Sequence, residues 1–324
     1  MSLTRTGQQR FLPRDPVTDM DIIVAGGSGF IGRSLCAELL ERDHEVTALS
    51  RDPDEDSLPA GVGTAIGDVR AYDSIADAFE DRDAAVNLVA LSPLFEPSGG
   101  NEMHDRVHRQ GTEHCVEAAE AAGVDRFLQV SALGADPDGA THYVRAKGRA
   151  ETVVRDSGLD WTVVRPSVVF GDGGQFVGFT RTLTPPVFAP LPGGGETRFQ
   201  PLHVEDLVGM LADAIADDTH VGQTYELGGP EKLTLADVAR LVREAEGGSV
   251  RVVPVPMALA GLGMTVGGLL PGVPFGPDQY RSLQFDNTTD DNDIDAFGLD
   301  PGELTSLSGY LGVDRQAETG QGVA

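Results

Sequence analysis

The chain has 324 residues, 40% of them hydrophobic, enough for one large domain with a smaller lobe and a substantial buried core. Acidic side chains outnumber basic ones 51 to 24, for a net charge of −27, and only Lys147 and Lys232 are lysines. Carboxylates run through the whole chain, from Asp52 and Asp56 to Asp213 and Asp290, so the charge reads as a halophilic surface adapted to a salt-rich cytoplasm, where the Debye length falls to about 3 Å at 1 M, and it argues against nucleic acid as a partner.

The first 19 residues are polar, hold Pro13 and Pro16 and show no period, so residues 1–19 are expected to form a flexible tail. Asp21 to Ala25 is a short apolar run that meets glycines directly, and Ile31, Leu35 and Leu39 then recur every fourth residue, which predicts strand, turn and helix. Further short β-rich runs are Glu45 to Leu49, Val62 to Ile66, Ala85 to Leu91, Arg126 to Val130 and Trp161 to Arg165, with helical patterns between most of them. Such alternation predicts an α/β fold with a doubly wound, mainly parallel sheet. A helix over about 102–122 carries Val107, Gly111, Cys115, Ala118 and Ala122 on one stripe and stops at Gly123. After Arg165 a loop-rich section holds Gly171 to Gly174, Pro185, Pro186 and the Pro192 to Gly195 cluster; helices are expected at about 204–216 and 233–245, with Gln223 to Leu227 returning to the sheet. The expected division is a doubly wound domain over 20–170, completed by about 204–228, a cap lobe over 171–203 and 229–312, and a tail over 313–324.

Cys36 and Cys115 stand in separate helical patterns with no CxxC spacing, so neither disulfides nor structural zinc are expected. No basic flank, apolar run and cleavage site combine near the start, which gives a cytoplasmic expectation. The stretch from Met257 to Val273 is apolar but broken by six Gly or Pro residues, too interrupted for a spanning helix of roughly 20 residues; it is expected to be core or a surface-docking element.

Gly26-Gly27-Ser28-Gly29-Phe30-Ile31-Gly32 follows the first strand and opens the first helix, the context in which a glycine turn binds a dinucleotide. Gly26, Gly29 and Gly32 permit the tight turn and close backbone approach, and the amides of Phe30, Ile31 and Gly32 begin the helix whose positive end receives a pyrophosphate. At the end of the second strand, where an NAD-specific site places a carboxylate for the ribose 2′-hydroxyl, this chain has Ser50 and Arg51. Arg51, with Ser50 and Arg33, suits a 2′-phosphate, so NADP(H) is favoured; NAD(H) stays open through Asp52. Asp68 and Val69 follow the third strand, where Asp68 is placed near the adenine.

Tyr143 and Lys147 are four residues apart on a helical segment, and Ser131 follows a strand twelve residues before the tyrosine. With the glycine turn, this order resembles the extended and atypical short-chain dehydrogenase/reductases. Within them, Val130 to Ala135, Tyr143 to Lys147, Arg165 to Gly171, Gln200 to Asp206 and Pro277-Asp278-Gln279-Tyr280 are similar to the NAD(P)-binding accessory subunit (39 kDa type) of respiratory complex I and its prokaryotic relatives. The resemblance implies a Rossmann domain and hydride exchange at the nicotinamide. Tyr143 would trade a proton with the substrate oxygen, Lys147 would favour the phenolate and hold the nicotinamide ribose, and Ser131 would orient the substrate. It equally implies a second role, a nucleotide-binding accessory or assembly protein peripheral to a membrane respiratory complex. Enzymes of nucleotide sugars usually carry Asn where this chain has Val168 and His108, which disfavours an epimerase. The substrate is an unknown small molecule, and the oligomeric state is not specified. His104 and His108 share a helix face but lack a third ligand and read as ordinary helix residues, and His203 reads as structural.

Overall fold

The computed structural model describes residues 19–261 and 276–313. The expected tails and residues 262–275 of the apolar stretch therefore lie outside the described residues, apart from Asp19 and Val313.

The first half alternates as expected: β1 (Asp21–Ala25), α1 (Phe30–Glu41), β2 (Glu45–Ser50), β3 (Gly63–Ile66), β4 (Ala84–Asn87), a π-helical turn (Asp105–Arg109) leading into α2 (Gln110–Ala122), β5 (Arg126–Val130), α3 (His142–Arg155) and β6 (Asp160–Pro166). The second half begins with β7 (Val169–Phe170), α4 (Gln175–Leu183), β8 (Val187–Pro192), β9 (Arg198–Phe199), β10 (Leu202–His203) and α5 (Val204–Ala216). It continues with β11 (Thr224–Leu227), β12 (Leu233–Thr234), α6 (Leu235–Ala245), β13 (Val250–Val255), α7 (Pro277–Ser282) and α8 (Leu307–Tyr310).

Seven strands form one sheet in the order β11-β6-β5-β4-β1-β2-β3, every neighbouring pair parallel. The period of two along β1 sorts the core into layers. Ile22 and Val24 pack with Leu35 and Leu39 of α1 and Leu207 and Leu211 of α5, whereas Ile23 and Ala25 pack with Cys115 and Ala119 of α2 and Val154 of α3. The chain winds outward from β1 to β3, then restarts at β4 on the other side, so a crevice opens at the carboxyl ends of β1 and β4, where open α/β sheets bind ligands.

Three local expectations are corrected. The run from Ala85 to Leu91 pairs only through Asn87, because Asn87 spends its amide on Thr112 and Gln129 at 3.0 Å each and its side-chain oxygen on the Val89 amide, turning the chain out of the sheet. The section after Gly171 contains a helix, α4, which buries Phe176 against Val238 and Leu241 of α6. For residues 257–261, the described part of the apolar stretch, the core alternative does not hold, since Leu259 is exposed, while the surface-docking alternative is untouched. Gly123 ends α2 with a left-handed φ of 76°, as a helix-terminating glycine does.

Outside the sheet, β8 pairs with β13 over six residues, leaving Val187 and Phe188 exposed on the surface. Among the described residues no helix is long and apolar enough to cross a membrane.

Candidate dinucleotide site and catalytic cleft

One cleft of about 1170 Å³ runs along the carboxyl ends of the strands and is lined by the glycine turn, Ser50, Arg51, Asp68, Val69, Ser131, Tyr143 and Lys147 together.

At one end, Gly26 adopts a φ of +86°, open to glycine at little cost, and a Cβ on Gly32 would lie 2.3 Å from the Gly26 carbonyl oxygen. The turn closes through Gly26 N–H donating to Leu49 O (2.8 Å) and Gly29 N–H to Gly26 O (2.9 Å). No side chain caps α1, which leaves its leading amides available to an anion. The Ser50 hydroxyl is buried and has no hydrogen-bond partner among the described residues. A backbone cradle that no Cβ would tolerate, free helix amides and an orphaned hydroxyl fit a dinucleotide pyrophosphate and ribose.

Arg51 is exposed at the rim and makes no hydrogen bond or ion pair among the described residues, and Asp52 is exposed beside it. Arg33 is half-buried and reaches the Ser28 carbonyl at 3.4 Å. Asp68 is engaged by Arg70, whose guanidinium hydrogen bonds hold its carboxyl below the ordinary range, while the Asp68 amide donates to the Ser74 hydroxyl oxygen at 2.8 Å. Val69 is buried and its carbonyl meets His114 Nδ1 at 2.7 Å.

At the other end, α3 carries Tyr143 and Lys147 one turn apart, capped by Thr141, whose hydroxyl accepts from the Val144 amide. Ser131 follows β5, tied by its amide to Val164 O at 2.7 Å, and its buried hydroxyl has no partner among the described residues. Lys147 is 2% exposed and donates from Nζ to Val130 O at 2.9 Å; burial, opposed by Glu151, brings its pKa from 10.5 down to about 8. Burial raises the Tyr143 phenol above its ordinary value, while the Lys147 ammonium donates to the Val130 carbonyl.

At the Tyr143 turn the structure brings in three residues that the sequence showed only as ordinary helix positions or as part of a motif. His104 and His108 lie edge-on to its ring, with centroids at 5.6 and 5.3 Å, and 5.3 Å from each other. Both are buried; burial lowers His104 to about 4 and His108 well below its usual value, so both are neutral at pH 7. His108 Nε2 accepts the Leu91 amide at 2.9 Å, which puts its proton on Nδ1, and Nδ1 of each ring is buried with no partner among the described residues. The π-helical turn at Asp105–Arg109 sets this pair, a distortion common at functional sites and invisible to a 3.6-residue period. The third is Asp278 of α7, 4% exposed, whose Oδ2 accepts both the His142 amide (2.7 Å) and His142 Nδ1 (2.8 Å), fixing the first residue of α3.

Among the remaining candidates, His203 packs against Phe170 and Tyr310, and Pro192 alone of the Pro192 to Gly195 cluster borders the cleft. Among the described residues no group of three or more His, Cys, Asp or Glu is placed to hold a metal ion.

A family model described as NAD(P)H-binding matches residues 26–183. The chain is 28% identical over 256 residues to the mitochondrial NADH dehydrogenase [ubiquinone] 1 alpha subcomplex subunit 9 of Arabidopsis thaliana, covering 76% of this chain but 63% of that protein, so it spans less than two thirds of that relative. It is 28% identical over 250 residues to the NAD(P)H azoreductase of Xenophilus azovorans, covering 75% of this chain and 82% of that one. In structure it is similar to the UDP-glucose 4-epimerase of Thermus thermophilus in complex with NAD, with a TM-score of 0.63 at 22% identity, over 81% of this chain and 99% of that one, a likeness of fold. The chain thus carries a Rossmann fold whose residues 26–183 match an NAD(P)H-binding family model, and it is similar to mitochondrial subunits of NADH:ubiquinone oxidoreductase and to an NAD(P)H azoreductase.

Proposed function

We propose that the protein is an NADP(H)-preferring oxidoreductase that reduces a small molecule through Ser131, Tyr143 and Lys147. The observation that carries this reading is the convergence of those three side chains and the glycine turn on one cleft. Bound nicotinamide would supply a hydride donor or acceptor at its C4. Ser131 Oγ, buried and unpartnered, holds and orients the substrate oxygen. Tyr143 Oη delivers the proton to that oxygen, and a raised phenol pKa suits a proton donor in the resting state. Lys147 has three donor hydrogens, so it keeps Val130 O with one and offers the others to the nicotinamide ribose and to the phenolate left after transfer. Arg51, with Ser50 and Arg33, would receive a 2′-phosphate, and Gly26, Gly29, Phe30, Ile31 and Gly32 would cradle the pyrophosphate. Asp68 and Val69 would border the adenine.

Turnover of NADPH against a panel of carbonyl and azo compounds tests the chemistry. Tyr143→Phe is expected to lower turnover at least about 100-fold while leaving NADPH affinity intact; equal turnover in the variant would overturn the assigned role.

The similarity to the Arabidopsis subunit favours a second reading, a non-catalytic nucleotide-binding protein held at the cytoplasmic face of a membrane respiratory complex. Co-purification with NADH:quinone reductase activity, undiminished by Tyr143→Phe, would select it over the first.

A further inference from the structure

The cleft continues past Tyr143 into a chamber whose walls differ in kind from the nucleotide end. α4 presents Phe176 and Phe179, three residues apart and so on one face, with Phe95 edge-on to Phe179 at 5.4 Å and Phe199 against Phe176 at 5.8 Å. Leu191 and Val168 also line it. Of the cations lining the cleft among the described residues, Arg51, Arg70 and Lys147 belong to the nucleotide end or to the Tyr143 turn and Arg33 lies beside Gly173 just before α4, so the walls around Phe95, Phe179 and Leu191 contribute one charged side chain, Glu96. A diphosphate or carboxylate buried there would meet no counter-charge and one like charge, a cost no apolar wall returns. The other polar groups of the lining, such as Ser92, Gln175 and Gln279, are uncharged, and among them the buried Ser131 hydroxyl, without a partner among the described residues, stands with the Tyr143 phenol.

Resting on the nucleotide-dependent reading above, we infer that this chamber takes an uncharged, ring-bearing carbonyl compound, its flat apolar body between the phenylalanines and its oxygen at Ser131 and Tyr143. Aromatic walls favour such a body through edge-to-face and offset contacts. The reduction then balances: the carbonyl carbon receives the hydride from NADPH, the C=O π pair moves to the oxygen, Tyr143 Oη–H protonates it, and the products are an alcohol and NADP⁺.

The test is calorimetric titration of 9-fluorenone into protein saturated with NADP⁺, where no reduction competes, beside UDP-glucose and beside an NADPH titration of each sample. Fluorenone is expected to bind, Phe179→Ala to weaken it about tenfold, and UDP-glucose to give no competing binding. Phe95→Ala, a change in a loop that spares α4, should weaken it comparably, with NADPH affinity unchanged in both variants. Fluorenone affinity indifferent to both substitutions, or displacement of fluorenone by UDP-glucose, would overturn the inference while leaving nucleotide binding standing. Loss of NADPH binding by the unaltered protein would overturn the nucleotide reading and this inference with it.

Discussion

Lys147 concentrates the tension of the site in one side chain. A 2%-exposed ammonium keeps one bond to Val130 O, and burial pulls its pKa from 10.5 to about 8. Since the folded value lies below the unfolded one, the charge disfavours folding fully below pH 8, and this cost is relieved as pH rises from about 8 to 10.5. Val130 O also accepts from Gln129 Nε2 at 3.0 Å, so removing the lysine does not strand that carbonyl. Lys147→Met should therefore unfold at higher urea than the unaltered protein at pH 7 without nucleotide, by roughly 2 kcal/mol, and the gap should close towards pH 10. A gap that grows with pH would contradict the assigned burial cost. A lysine in a chain with only two was visible as a special position; its partner was not, because the carbonyl of Val130 belongs to strand β5, 17 residues before it.

Elements record where sequence patterns reach and where they stop. The turn from Gly26 to Gly32 was legible because strand, glycines and helix follow one another without a gap, and each demand on the backbone is local. So was the edge strand β11, which pairs with β6 as its β-rich run suggested. Helix α4 was hidden by the glycines before it and the prolines after it, and the π-helical turn by its departure from the ordinary period. Pro277 to Tyr280 stood out as a motif, but what it does depends on a contact spanning 136 residues of sequence. Burial pushes the Asp278 carboxyl up, and the hydrogen bonds from the His142 amide and ring, then Arg281, overcome this and hold it below its usual 3.8. With the folded value depressed, its contribution is present above pH 4 and is lost as pH falls through the folded pKa. Asp278→Ala should cost about 1–3 kcal/mol at pH 7, read by urea denaturation, with the difference shrinking below pH 4. It should also lower turnover through a looser Tyr143. An Asp278→Ala protein as stable as the parent would remove Asp278 from the support of α3.

At the scale of the whole molecule, a net charge of −27 opposes compaction through self-repulsion that salt screens. Several pairs, such as Arg198 with Asp286 and Lys232 with Asp290, are exposed and contribute little. The buried set around Glu151, held by Arg165 at 2.7 Å and Arg155 at 2.9 Å, is screened far less and anchors α3 to β6. Raising potassium chloride from 0.2 to 2 M should lift the melting temperature by at least about 5 °C, the shift that a few kcal/mol produces in a chain of this size. A melting temperature that falls over this range would refute the reading of the charge as salt adaptation.

On the proposed function, this cleft receives NADP(H), with Arg51 reading the 2′-phosphate. Fluorescence titration of the purified protein with NADPH and NADH in molar potassium chloride, repeated on Arg51→Ala, addresses it most directly. The account predicts tighter binding of NADPH than of NADH, by about tenfold or more, and loss of that preference in the variant with NADH affinity nearly unchanged. Binding of neither nucleotide, or an NADPH preference that survives Arg51→Ala, would contradict it.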